Sequence, residues 1–119
     1  MADRPRTIIC DIDGVLFRHQ GDICVQHIGE PAVLSGVREA FRKWDLEGCR
    51  IILLTGRRES TRKETEAQLS KSGLFYDQLI MGVTGGVRVL INDRKPNGAE
   101  DTSVAINVTR NEGLAGVQV

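Results

Sequence analysis

Residues 8–17 read IICDIDGVLF. A short apolar run, rich in β-branched residues, ends in Asp-Ile-Asp-Gly and resumes as Val-Leu-Phe. Thr7 to Asp11 has the composition of a strand buried on both faces, the habit of parallel sheets. An ionised carboxylate is costly to bury without a partner. Two of them, Asp11 and Asp13, one residue apart at a strand end, therefore imply a cation or a reacting group there.

The rest of the chain sets the scale. It has 119 residues, enough for a single domain, 1–119, with a modest core. Hydrophobic residues make up 40% and charged residues 27%, the balance of an ordinary globular protein. Sixteen basic residues offset sixteen acidic ones. No overall positive field or polybasic run argues for nucleic acid or a membrane surface. Cys10, Cys24 and Cys49 lack metal-ligand spacing and read as reduced thiols of a cytoplasmic protein. The N-terminus, MADRPRT, has no apolar stretch of the signal-peptide kind. No run approaches the roughly 20 apolar residues that span a bilayer.

Periodicity places further elements around the quoted strand. Arg18 to Glu30 is polar and reads as a loop or small hairpin, with Ile23 to Val25 as one arm. Leu34, Val37, Phe41 and Trp44 recur at helical spacing, so Pro31 to Glu47 reads as a helix with Ser35 as a cap and Gly48 as its stop. Arg50 to Leu54 is a second apolar strand, ending in Thr55-Gly56-Arg57. Thr61 to Ser72 reads as a polar helix with a Thr61/Glu64 capping box and few apolar residues. Asp77 to Met81, Arg88 to Asp93 and Ser103 to Val108 read as a third, fourth and fifth strand, with RKPNGAED as the loop between the last two. The tail, TRNEGLAGVQV, reads as a short turn or an extra strand. Strands alternating with helices predict an α/β fold with a mainly parallel sheet, whose ligands bind at the carboxyl ends of the strands.

Three strand ends carry polar residues: Asp11 to Gly14, Thr55 to Arg57, and Asn92 to Lys95. Parallel strands would gather them at one edge. Asp11, Asp13 and Asp93 would offer oxygen ligands that suit Mg²⁺, which in turn neutralises phosphate oxygens. Thr55 offers a hydroxyl, and Gly56 lets its amide approach a phosphate closely. One carboxylate can attack phosphorus while the other protonates the leaving oxygen.

These residues carry a resemblance. IICDIDGVL resembles the first motif of the haloacid dehalogenase (HAD) superfamily, IILLTGR its second and VLIND its fourth, in that order, over about residues 7–108. The resemblance implies a Rossmann-like three-layer sandwich with a five-stranded, mainly parallel sheet of order 5-4-1-2-3. It implies a phosphatase with an aspartyl-phosphate intermediate on Asp11. Asp13 would be the general acid/base, its carbonyl helping to hold Mg²⁺. Thr55 would bind phosphate and Asp93 would ligate the metal. Asn97 stands where many members carry a second acid.

The third motif, a Lys or Arg before the fourth strand, has no clean counterpart. At about 3.3 Å per strand residue, Arg88 lies roughly 16 Å below the active edge. Lys95, just past Asp93, is better placed to neutralise a phosphate, with Arg57, Arg58 and Lys63 as rivals. The link from Met81 to Arg88 spans at most about 24 Å, which makes DQLIM either a short skewed strand or something other than the usual parallel edge. No gap holds a cap domain. The resemblance to capless members implies a small phosphorylated sugar or sugar acid as substrate, and a homo-oligomer such as a tetramer. YDQLIMG is similar to a run in the phosphatase half of polynucleotide kinases, while neutral charge argues against nucleic acid. A degenerate phosphate-binding or scaffold domain, and a nucleotide or nucleic-acid-end phosphatase, are the competing readings. His19 and His27 read as surface residues with an option on substrate, and Trp44 as core.

Overall fold

The computed structural model describes residues 4–97 and 101–119. Residues 1–3 of the N-terminal stretch and 98–100 of the RKPNGAED loop lie outside them. The chain runs β1 (Thr7–Asp11), α1 (Val37–Leu46), β2 (Arg50–Leu54), α2 (Arg62–Lys71) and β3 (Gln78–Ile80), with one-turn 3₁₀ segments at Ile23–Val25 and Glu59–Thr61. The three strands form a parallel sheet in the order β1-β2-β3. Ile8 lies opposite Ile51, Asp11 opposite Leu54, and Leu54 opposite Ile80.

This corrects the expected five-stranded sandwich. Arg88 to Asp93 and Ser103 to Val108 are not strands of the sheet. Val87 is 93% exposed and Ile91 92%, values that no buried strand shows. β1 is therefore an edge strand among the described residues, not the centre of the sheet. β3, in contrast, is the short parallel edge strand. Asp77 secures it to β2, accepting from the Ile51 amide through Oδ2 (2.8 Å) and donating its own amide to the Ile51 carbonyl (2.7 Å).

Two successive parallel crossovers of the usual right hand place their helices on the same face of a sheet. The burial follows that rule. Ile8, Cys10, Ile51, Leu53 and Leu79 share one face by register and join Val37, Phe41, Trp44 and Leu69 in a single core. Phe41 and Trp44 stack with ring centroids 5.1 Å apart. On the other face Ile9 and Ile80 are exposed and Ile52 and Leu54 half-buried. The two-faced burial expected of these strands is thus one-faced. Burial, together with the neighbouring Asp11 charge, pushes the Cys10 thiol up to about 12, so it behaves as a small apolar side chain.

Several local expectations shift. Ile23 to Val25 is a 3₁₀ turn capped by the Asp22 carboxylate, not a strand arm. The Thr61/Glu64 capping box does not form, because the Thr61 hydroxyl donates to the Arg58 carbonyl instead. The cap of α1 is Gly36, not Ser35. Gly36 has φ +76° and no room for a side chain: a Cβ there would collide with the Ala115 backbone of the C-terminal segment. Leu114 donates its amide to the Ser35 carbonyl at the same place (2.8 Å). Gly36→Ala is expected to lower the unfolding free energy by about 1–3 kcal/mol from backbone strain alone, read as a shifted urea midpoint at constant slope.

Candidate functional site

The chemistry-bearing residues collect where β1 and β2 end. Asp11 closes β1 and points to the half-open face. Its side chain is 37% exposed. It accepts the Ile12 amide through Oδ1 (2.9 Å), and Arg88 brings a guanidinium nitrogen to 3.5 Å from Oδ2. Burial raises the carboxyl above its ordinary range, the Arg88 charge and the Ile12 amide oppose that, and the nearby Asp13 charge adds to it.

Behind Asp11 the chain turns sharply. The amides of Val15, Leu16 and Phe17 all donate to the Ile12 carbonyl. Gly14 (φ +89°) supplies the left-handed residue that this turn requires. The turn aims Asp13 inward, where its side chain is 6% exposed.

Asp13 meets Arg57 there. Arg57 Nε donates to Oδ2 (2.9 Å) and Nη2 to Oδ1 (2.8 Å), a two-pronged pair in which the guanidinium is 1% exposed. The remaining prong, Nη1, donates to Thr65 Oγ1 (3.1 Å) and Gln68 Oε1 (2.5 Å) on α2. Gln68 passes the link on, donating to the carbonyls of Gln26 (3.2 Å) and Gly29 (3.0 Å). Phe17 lies under the guanidinium, 5.9 Å from its ring centre. A buried ion pair is tolerable only when its hydrogen bonds are complete, and among the described residues no buried side-chain nitrogen or oxygen lacks a partner.

The placement differs from expectation at several residues. Arg57 is a buried partner of Asp13, not a free phosphate ligand. Thr55 does stand one residue past Leu54, the register partner of Asp11; its Oγ1 accepts the Arg57 amide (3.1 Å), which leaves its own proton to donate. Gly56 is small because the Val83 carbonyl presses on it, 3.0 Å from where a Cβ would be. Asp93, Lys95 and Asn97 lie on the exposed segment that never pairs with β1. Asp93 is therefore not brought to Asp11 and Asp13, and no group of three or more acidic, histidine or cysteine side chains gathers among the described residues. Arg88, placed by strand arithmetic far below the edge, is the cation that reaches Asp11. That arithmetic assumed a strand, and the segment is not one. Arg58 and Lys63 are exposed. His27 lines a groove of about 610 Å³ with Arg38, Glu64 and Lys71, away from these acids.

Four participants escaped the sequence reading. Thr65 and Gln68 are polar residues on the inner face of α2, and the only hint of them was that helix's shortage of apolar residues. Arg110 and Asn111 come from the tail: the Asn111 amide donates to the Gly14 carbonyl (2.8 Å), and its side chain accepts the His19 amide (2.7 Å). No helix among the described residues is long and apolar enough to cross a membrane.

No family model matches the chain, and no curated protein sequence matches it. Solved structures do. A chain in a structure of the Pnkp1/Rnl/Hen1 complex is 30% identical with a TM-score of 0.59, covering 71% of this chain and 30% of that one. A chain in a structure of the Pnkp1/Rnl/Hen1 RNA repair complex is 29% identical with a TM-score of 0.56, covering 73% and 30%. This chain thus spans about a third of the length of those two. A structural-genomics target from Vibrio cholerae, 22% identical with a TM-score of 0.55, covers 76% of this chain and 81% of its own, and shows the fold alone. The chain shares its fold with these proteins.

Two outcomes are expected of this arrangement. Arg57→Met strands a buried carboxylate and is expected to cost about 3–5 kcal/mol in urea unfolding, with Asp13→Asn partly restoring stability in the double variant. The Asp11 carboxyl is raised in the folded state, so the folded protein binds more protons than the unfolded chain in that window, and stability falls as pH rises through it. In metal-free buffer, Asp11→Asn is expected to melt above the wild type near neutral pH, with the gap closing as pH falls through the carboxylate range.

Proposed function

We propose that the chain is a phosphomonoester hydrolase of the HAD type, with Asp11 as its nucleophile and Mg²⁺ as its cofactor. The observation that carries this reading is the half-exposed Asp11 at the end of β1, beside the Thr55 hydroxyl at the end of β2 and with Arg88 at its free oxygen. The Asp-x-Asp-Gly and Thr-Gly-Arg motifs support the same assignment, as does the fold shared with the solved structures.

In this reading an Asp11 oxygen attacks phosphorus, the ester P–O bond breaks, and the leaving oxygen takes a proton. Water then cleaves the aspartyl-phosphate and releases phosphate. Arg88 and the Thr55 hydroxyl hold the non-bridging oxygens. Asp13 is the acid/base that the resemblance implies, and serving as one requires the Arg57 fork to open, since both of its oxygens accept from it. As arranged, Asp11 faces Arg88, Asp13 faces Arg57 and Asp93 stands apart, so holding Mg²⁺ would require Asp11 and Asp13 to be released from these two arginines; once bound, the ion would neutralise phosphate oxygens.

The likeness to chains of an RNA repair complex favours a phosphorylated nucleic-acid end over the small sugar phosphate or sugar acid as substrate. Neutral net charge then points to recognition of the end itself, not of a long backbone. A homo-oligomer remains part of the proposal.

Phosphate release from an aryl phosphate and from a 3′-phosphorylated oligonucleotide, with Mg²⁺ or with chelator, tests the reading. The expected result is Mg²⁺-dependent turnover that Asp11→Asn abolishes. Silence on both substrates, or turnover that survives Asp11→Asn, overturns it.

A further inference from the structure

The residues from Thr109 to Val117 show no regular strand or helix, yet they are held at several points. The Asn111 amide donates to the Gly14 carbonyl, the Asn111 side chain accepts the His19 amide, and the Leu114 amide donates to the Ser35 carbonyl. Gly113 sits so close to Ser35 that a Cβ there would collide with its carbonyl. Asn111 itself has φ +67°, the one non-glycine residue with positive φ among the described residues. Asn tolerates that left-handed region better than other side chains do, and here the hydrogen bonds to Gly14 and His19 hold it there.

What this turn delivers to Gly14, in the turn that follows Asp11 and Asp13, is Arg110. Its Cγ lies 3.2 Å, and its Nε 3.8 Å, from the point that a Cβ on Gly14 would occupy. Gly14 thus serves two ends. It makes the turn after Asp13, and its bare α-carbon is the floor on which the arginine stem rests. Beside it, His19 is fixed by the Gly21 amide, which donates to Nδ1 (2.9 Å). Among the described residues no carboxylate forms an ion pair with Arg110, although Arg57 and Arg88 each have one. An arginine resting on the turn that follows Asp11 and Asp13, with no ion pair among the described residues, is available to an anion that arrives from outside. Its planar fork suits phosphate oxygens in particular.

We propose that Arg110, carried to the Gly14 turn by the left-handed Asn111, is a phosphate-binding residue of this site. It does from the C-terminal segment what the sequence assigned to Arg57 and Lys95, one of which is buried on Asp13 while the other lies on the exposed segment. This rests on the reading of the site as one for phosphate esters.

The test is binding of inorganic phosphate in the presence of Mg²⁺, by calorimetry and as inhibition of aryl-phosphate turnover. Arg110→Gln is expected to weaken phosphate binding about tenfold or more with the thermal midpoint unchanged. Arg110→Lys is expected to recover part of the loss. Asn111→Gly keeps the left-handed backbone but removes the acceptor of the His19 amide, and is expected to weaken binding less than Arg110→Gln does. Wild-type protein that binds phosphate, with Arg110→Gln binding equally well, overturns the role of Arg110 and leaves the phosphatase reading standing. Wild-type protein that neither binds phosphate nor hydrolyses the ester overturns both.

Discussion

The site is organised around one buried ion pair. Arg57 and Asp13 lie on different strand ends and are joined by two hydrogen bonds with almost no solvent. Neither charge could stay there alone, so each dictates the other's position. The Ile12-centred turn must point Asp13 inward, and β2 must end where Arg57 can reach it. Through Thr65 and Gln68 the same guanidinium fixes the inner face of α2, and through Gln68 the 22–30 loop. This explains how a helix with so few apolar residues packs: besides Leu69 in the core, it is held by hydrogen bonds to a buried charge.

The parts of this arrangement that were legible in the sequence are those set by local pattern. The apolar runs of β1 and β2, the helical spacing of Val37, Phe41 and Trp44, and the acids and Thr-Gly-Arg at the strand ends each follow from short-range chemistry. The rest depended on pairing. VRVLIND has the composition of a strand, but composition does not show whether an edge accepts it, and among the described residues β1 has no strand on that side. Everything reckoned from that pairing moved with it: the five-stranded order, Asp93 beside Asp11, and Arg88 at the far end. Arg57 shows a different limit. Its motif puts it at the end of β2, but nothing nearby in sequence announces Asp13, Thr65 and Gln68 as the partners that bury its guanidinium.

The likeness to chains of the RNA repair complex covers about 30% of their length. What is shared is therefore a unit and not a whole protein. In this chain the sheet carries its two helices on one face. The opposite face, with Ile9 and Ile80 in solvent, has no helix among the described residues to cover it.

Asp11 sits at the end of an outer strand, and this separates two properties that usually travel together. A residue on a central strand shares the cooperative stability of the core. Here β2 is held on both sides, whereas β1 is held on one among the described residues, and its last residue depends on a turn gathered about the Ile12 carbonyl. Local opening needs far less free energy than global unfolding in such a place. On warming, the geometry around Asp11 is expected to loosen while Phe41, Trp44, Ile51 and Leu69 remain packed, so this strand end has a lower ceiling of temperature than the core that carries it.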